Sequence, residues 1–182
     1  MMNINEAIEG AINGNTKCQE HIYQRYARML MTVCRRYKMA DVQPIDILQD
    51  SFIEIFRNLE KYDSAKGKFE NWITTICIRT AIKIAKKYNK FTTVQMDTIF
   101  DLPLTDESAI DKMSANEIMD IIDKIPPGYR DIFNLYVVDG YSHKEISTLF
   151  GIKESTSRSK LMRAREMIGK KILENNQKLK AI

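Results

Sequence analysis

Helix breakers are scarce in this chain, which has only four prolines and seven glycines among 182 residues. A β architecture needs many turns built from those residues, so their shortage favours helices. Cysteine is also rare: Cys18, Cys34 and Cys77 are odd in number, and each falls inside an apolar helical pattern. Small buried hydrophobes in a reducing compartment fit that pattern better than a disulfide framework does. His21 and His143 are the two histidines. Cys18 and His21 have metal-like spacing, but no second pair completes a site, so a zinc centre is not expected. No apolar run approaches the length of a membrane span, and the N-terminus lacks the basic-then-apolar layout of a signal peptide. The expectation is therefore a cytoplasmic protein without membrane insertion. Paired carboxylates in an apolar setting, a nucleophile beside a base and a glycine-rich phosphate loop are all missing, so neither an enzyme nor a cofactor is expected.

What the chain does have is segregated charge. Residues 1–78 carry 10 basic and 10 acidic side chains, whereas Arg79 to Lys90 holds five basic residues and no acid. From Phe91 to Asp111 the sign reverses, with five acids and no base, and between Lys153 and Lys171 seven basic residues face two acidic ones. Two basic patches flanking an acidic connector form an electrostatic footprint of nucleic-acid binding.

The second patch belongs to a recognisable motif. Ser142 and Glu145 form an S-x-x-E capping box, and Ile146, Leu149 and Phe150 follow at the spacing of one apolar helix face. Gly151 interrupts the pattern, and Ile152 anchors a tight turn. A second helix follows with Leu161, Ala164, Ile168 and Ile172 facing inward, and Arg158, Lys160, Arg163 and Arg165 between them. Two short helices across a glycine-bearing turn, the second one basic, make a helix-turn-helix. In that motif the first helix braces the second, whose N-terminal residues read base edges while flanking cations neutralise phosphates.

Upstream, periodicity predicts a short helix from Asn5 to Asn13 ending at Gly14. A second helix is predicted to be capped by Thr16 and Gln19, with Ile22, Tyr23, Tyr26, Leu30, Val33 and Tyr37 in its stripe. Pro44 opens a third, with Leu48, Phe52, Ile55, Phe56 and Leu59 inward. A Tyr62–Lys68 loop precedes a fourth helix from about Phe69 to Lys90, whose apolar positions are Phe69, Trp72, Ile73, Ile76 and Ile84. Residues 91–111 read as an acidic linker. Ser114 and Glu117 cap a further helix over Ile118, Ile121, Ile122 and Ile125. Pro126-Pro127 starts the next, which carries Ile132, Phe133, Tyr136 and Val137 to Asp139-Gly140. The expected organisation is all-α: a four-helix domain over 1–90, a linker over 91–111, a four-helix domain with the helix-turn-helix over 112–175, and a polar tail over 176–182.

This ensemble resembles the bacterial extracytoplasmic-function sigma factors, the smallest sigma subunits of RNA polymerase, over nearly the whole chain. IDILQDSFIEIFRNLEKYD (Ile45–Asp63) is similar to the family's polymerase-clamp-binding helix, and GKFENWITTICIRTAIKIAKK (Gly67–Lys87) to its promoter −10 segment. Pro126–Ile168 looks like its −35 domain. The resemblance implies a region 2-type domain, a region 4-type domain and an acidic linker lying in the template and RNA-exit path. It implies that Asp46, Gln49 and Asp50 dock on core polymerase at the β′ clamp helices, with the β flap as a further contact. It implies that Trp72, Ile76, Arg79, Thr80, Lys83 and Lys87, with Tyr62, Lys66 and Lys68 of the loop, engage the single strand at −10. Lys153, Ser155, Thr156, Ser157, Arg158, Lys160 and Arg163 match the helix that reads duplex DNA at −35. An anti-sigma partner is implied as well.

Two readings stand for Trp72: a core residue sharing a face with Ile73 and Ile76, or a platform for an unstacked base. The absence of acids among Arg79, Lys83, Lys86 and Lys87 favours a phosphate track over a solvated face. Arg79 stands where the family often has Asn, Lys153 where an N-cap Ser or Asp is common, and Ser157 where Val is usual. A stand-alone helix-turn-helix regulator is the alternative, and it would bind duplex DNA unaided.

Overall fold

The computed structural model describes residues 2–37, 42–88 and 115–180. Every element among them is helical apart from turns and an isolated bridge residue, Val42. The chain divides into two compact units, Met1–Lys90 and Phe91–Ile182. The acidic linker expected over 91–111 lies outside the described residues.

Unit 1 contains α1 (Ile4–Ile12), α2 (Thr16–Arg36), α3 (Pro44–Arg57) and α4 (Phe69–Tyr88), with two 3-10 turns, Leu59–Lys61 and Ser64–Lys66, between α3 and α4. Helix α2 is the central post, packing on α1, α3 and α4. Its buried residues, Cys18, Ile22, Tyr26, Leu30, Val33 and Cys34, recur every three or four positions and so lie on one stripe. Ile47, Leu48 and Ile55 of α3 and Ile73 and Ile78 of α4 are fully buried around it, as is Leu59 of the first 3-10 turn. Each such side chain contributes about 1.5–3 kcal/mol of transfer free energy.

The start of α2 differs from expectation. Asn15, not Thr16, is the N-cap, and its Oδ1 accepts from the backbone N–H groups of Lys17 and Cys18 at 3.0 and 3.4 Å. Asn is at least as good an N-cap as Thr, so the earlier residue takes the role. Pro44 opens α3 as expected, at a position where its missing N–H costs nothing.

Unit 2 contains α5 (Ala115–Asp123), α6 (Pro127–Phe133), a π-helical segment (Asn134–Val138), α7 (His143–Phe150) and α8 (Glu154–Lys180). Ser114, expected to cap α5, lies outside the described residues. Ile121, Ile122, Ile125 and Tyr129 pack against Ala164, Ile168 and Ile172, so α8 supplies one wall of the core. The continuous helix expected through Val137 loosens into the π segment, where the Asp139 N–H donates to Asn134 O at 2.9 Å. That wider turn rotates the apolar face: Asn134 and Leu135 are buried, while Tyr136 and Val137 stand 37% and 47% exposed. Helix α8 continues to Lys180, through most of the stretch expected to be a polar tail. Gln, Lys and Leu are good helix formers, which sustains the extension.

Candidate nucleic-acid interfaces

In unit 2 the helix-turn-helix is fixed by a short series of local bonds. Ser142 Oγ accepts from the Glu145 N–H, and Glu145 Oε2 accepts from the Ser142 N–H at 2.8 Å, closing the capping box. Gly151 ends α7 at φ 68°, ψ 34°, a left-handed conformation that a Cβ disfavours. Ser147 Oγ donates to Ile152 O at 2.6 Å across the turn. Ile146 and Phe150 of α7 are buried, as are Leu161 and Ala164 of α8.

A further bond joins the two helices directly. His143 Nδ1 and Ser157 Oγ lie 2.9 Å apart, both residues buried, and the imidazole stacks on Tyr136 with centroids 4.4 Å apart. Burial holds the imidazole below its usual pKa, and nearby Arg158 pushes the same way. A neutral ring is the form suited to this apolar seat.

The structure therefore divides the residues expected to read duplex DNA. Lys153, Ser155 and Arg158 are exposed, with Thr156 and Arg163 half-buried. Arg158 Nη2 is 3.4 Å from Glu154 Oε2, one turn earlier. Ser157 does not belong with them: it is wholly buried against α7, so it cannot touch a base edge in this arrangement. Lys160 also departs from expectation. It is half-buried, its Nζ 5.9 Å from the Tyr129 ring centroid, turned toward α6.

Unit 1 holds an open cleft of about 900 Å³. Its α4 side presents Trp72, Ile76, Arg79, Thr80, Lys83 and Lys87, and its α3 side includes Asp46, Asp50 and Glu54. Fourth-helix burial follows Ile73, Cys77, Ala81 and Ala85, with Ile78 and Ile82 alongside. This leaves Trp72, Ile76 and Ile84 half-buried on the open side. Trp72 is thus neither plain core nor fully exposed. It stacks on Phe69 (centroids 5.8 Å) and meets Tyr62 at 5.5 Å, forming the edge of an aromatic cluster. Tyr62 donates its hydroxyl to Gly67 O at 3.1 Å, which ties the preceding loop to that cluster. Lys66 and Lys68 are exposed on the loop, Lys66 with Asp63 at 3.5 Å. Thr80 is buried to 8% exposure and contributes little surface. Asp46, Gln49 and Asp50 are all exposed on α3, Gln49 outside the cleft lining.

Electrostatically the two sides differ: the charged residues that α4 contributes to the lining are all cations, while α3 contributes Asp46, Asp50 and Glu54, with Arg57 at its end paired to Glu54. A polyanionic strand is repelled from the α3 carboxylates and drawn to the α4 side, where an apolar floor of Trp72 and Ile76 can receive a base. Sequence reasoning missed Arg57 and Lys61, which add cations to the lining from beyond the counted basic run.

Fold and sites define an all-α protein with a helix-turn-helix in one unit and a basic, aromatic-edged cleft in the other. Residues 22–91 match the family model for sigma-70 region 2, and residues 115–168 match the one for sigma-70 region 4. The chain is 26% identical over 155 residues to the ECF RNA polymerase sigma factor SigM of Bacillus subtilis (strain 168), covering 82% of this chain and 91% of that protein. It is 25% identical over 179 residues to the ECF RNA polymerase sigma-E factor of Escherichia coli (strain K12), covering 91% and 92%. A solved structure of the sigma factor RpoE in complex with the anti-sigma factor NepR from Bartonella quintana is similar at TM-score 0.48 and 13% identity, covering 85% of this chain and 96% of that one. The chain belongs to the sigma-70 family, as an extracytoplasmic-function RNA polymerase sigma factor acting in transcription initiation. Among the described residues, no helix is long and apolar enough to cross a membrane.

Proposed function

We propose that the two units divide promoter recognition, with unit 2 holding duplex DNA at −35 and unit 1 capturing a strand at −10. The cleft of unit 1 is the observation that carries this reading, because one helix offers both an apolar seat and a row of cations. Trp72 and Ile76 take an unstacked base, and Arg79, Lys83 and Lys87 take its phosphates, with Tyr62, Lys66 and Lys68 guiding the strand over the loop. Stacking on an aromatic contributes about 1–3 kcal/mol per base, which offsets the cost of unstacking a step. Lys153, Ser155, Thr156, Arg158 and Arg163 face the −35 duplex. Asp46, Gln49 and Asp50 meet core polymerase, their exposure on α3 being compatible with docking. An anti-sigma protein is the natural regulator, and the site of action is the cytoplasm. The chain contributes no catalytic group of its own to RNA synthesis.

Reconstitution tests this. Mixed with core polymerase, the chain directs transcripts from discrete start sites, and alone it binds promoter duplex weakly. Trp72→Ala lowers promoter opening, read by permanganate reactivity of unpaired thymines, while leaving closed-complex binding in place. Arg158→Ala weakens −35-dependent initiation. Transcripts without defined starts, or normal opening by Trp72→Ala, sink the division of labour.

A further inference from the structure

Behind the DNA-facing side of α8 lies a charged cluster that reading base edges does not require. Asp131 of α6 is 8% exposed, and Arg130 Nε stands 3.9 Å from its Oδ1. Arg130 is itself buried and donates from Nη1 to the Asp123 carbonyl of α5 at 3.5 Å. From α8 comes Lys160. Its ammonium lies over the first turn of α6, 5.9 Å from the Tyr129 ring centroid and 3.5 Å from where a Cβ on Gly128 would stand. The charged groups acting on Asp131 are thus Arg130 from its own helix and Lys160 from α8. Gly128 and Asp131 are three residues apart on α6 and so share the face that the Lys160 ammonium overlies, which sets the two opposite charges to attract across the helices.

We propose that Asp131 is a positioning residue for Lys160: ionised, it holds the ammonium against α6; protonated, it releases the ammonium to a DNA phosphate, so that duplex binding takes up a proton. The inference rests on α8 being the duplex-contacting helix. One ammonium beside a buried carboxylate is already partly neutralised, and a phosphate must compete with that carboxylate for it. Burial, outweighing both cations, pushes the Asp131 carboxyl up to about 7, so the competition is decided near neutral pH. By linkage, a phosphate that draws Lys160 away removes a counter-charge from Asp131 and raises its proton affinity further. Lower pH therefore strengthens binding. One added phosphate contact steepens the salt dependence by about 0.9 in log–log slope, which at ~0.1 M monovalent salt amounts to about eightfold in affinity.

The test uses the full chain and a fluorescent duplex of arbitrary sequence, with anisotropy titrations at about pH 6 and about pH 8 over a salt series. Wild type binds about eightfold tighter at the lower pH, with the steeper slope. Asp131→Asn keeps the tight, steep behaviour at both pH values, and Lys160→Met keeps the weak, shallow behaviour at both. A flat wild-type profile overturns the proposal. So does wild-type pH dependence persisting in Asp131→Asn, which would assign the effect to another group such as His143. If Asp131→Asn unfolds, the Asp131 carboxyl-carbon resonance of the wild type is titrated with and without duplex, and a midpoint that does not rise on binding is equally fatal. Arg158→Ala separates the levels. If it binds as wild type does, the assignment of α8 fails. If it weakens binding while the wild-type profile is flat, only the role of Asp131 falls.

Discussion

Ser157→Ala separates two accounts of one side chain. If Ser157 reads DNA, its loss costs affinity and little stability. The structure assigns the opposite, because its Oγ lies 2.9 Å from His143 Nδ1 and neither residue meets solvent appreciably. Removing the hydroxyl leaves a buried ring nitrogen without that partner, at a cost of about 1–3 kcal/mol. For a domain the size of unit 2, each kcal/mol lowers the melting temperature by about 4–8 °C, so a fall of at least about 4 °C is expected. The assay must follow unit 2 separately, for which the methyl resonances of Ile146 and Ile168 serve, both residues being buried there. Trp72, the one tryptophan in the chain, lies in unit 1, so its fluorescence transition should not move. Adding His143→Leu to Ser157→Ala should cost less than the two single changes summed, since both halves of the bond are then gone. An unshifted unit 2 transition, together with weakened duplex binding, would refute this reasoning and return Ser157 to the DNA surface.

Asp131 makes the stability of unit 2 depend on pH. Its folded pKa, about 7, lies above the ordinary carboxyl value, so the stabilisation is complete below about pH 4 and is lost as pH rises through about 7. Asp131→Asn should flatten that decline, with urea midpoints at several pH values as the check. Cys18, Cys34 and Cys77 are buried, and Cys34 is held in its thiol form first by its bond to Cys77, 3.5 Å away, and then by burial. A thiol reagent should therefore leave the native chain unlabelled and react only after unfolding; rapid native labelling would contradict this packing. A Cβ on Gly10 would collide with Cys18 Sγ, so Gly10→Ala should destabilise unit 1 by about 1–3 kcal/mol. The double change with Cys18→Ala should recover most of that loss in chemical denaturation.

Helices were legible from the chain because their signals are local. The Ser142–Glu145 cap, Pro44 at a helix start and the three-to-four spacing of Ile22, Tyr26, Leu30 and Val33 each act within a few residues, and each recurs in the structure. Orientation was harder. Tyr136 and Val137 fit a continuous α-helical stripe, yet the π segment turns them outward, and nothing within five residues announces that change of pitch. Ser157 and Lys160 look like surface residues on a basic helix because serine and lysine usually are. The groups they face, His143 and Tyr129, sit 14 and 31 positions away, so only folding brings them together. The cleft of unit 1 was half visible. The run Arg79, Lys83 and Lys87 could be read along α4, but the facing Asp46 and Asp50 had been read as a separate surface, and their shared rim depends on how α3 packs.

Helix α8 is both the proposed reading head and a structural wall, since the rod that carries Ser155 and Arg158 continues without interruption into Leu161, Ala164, Ile168 and Ile172. On that proposal, substitutions that retune promoter choice are confined to a narrow outward strip near its beginning, where a changed side chain disturbs no buried packing. Farther along, the inward positions of the same helix are closed to such change, and a protein that prised its distal half from α5 would disarm the near half without covering any of the proposed DNA contacts.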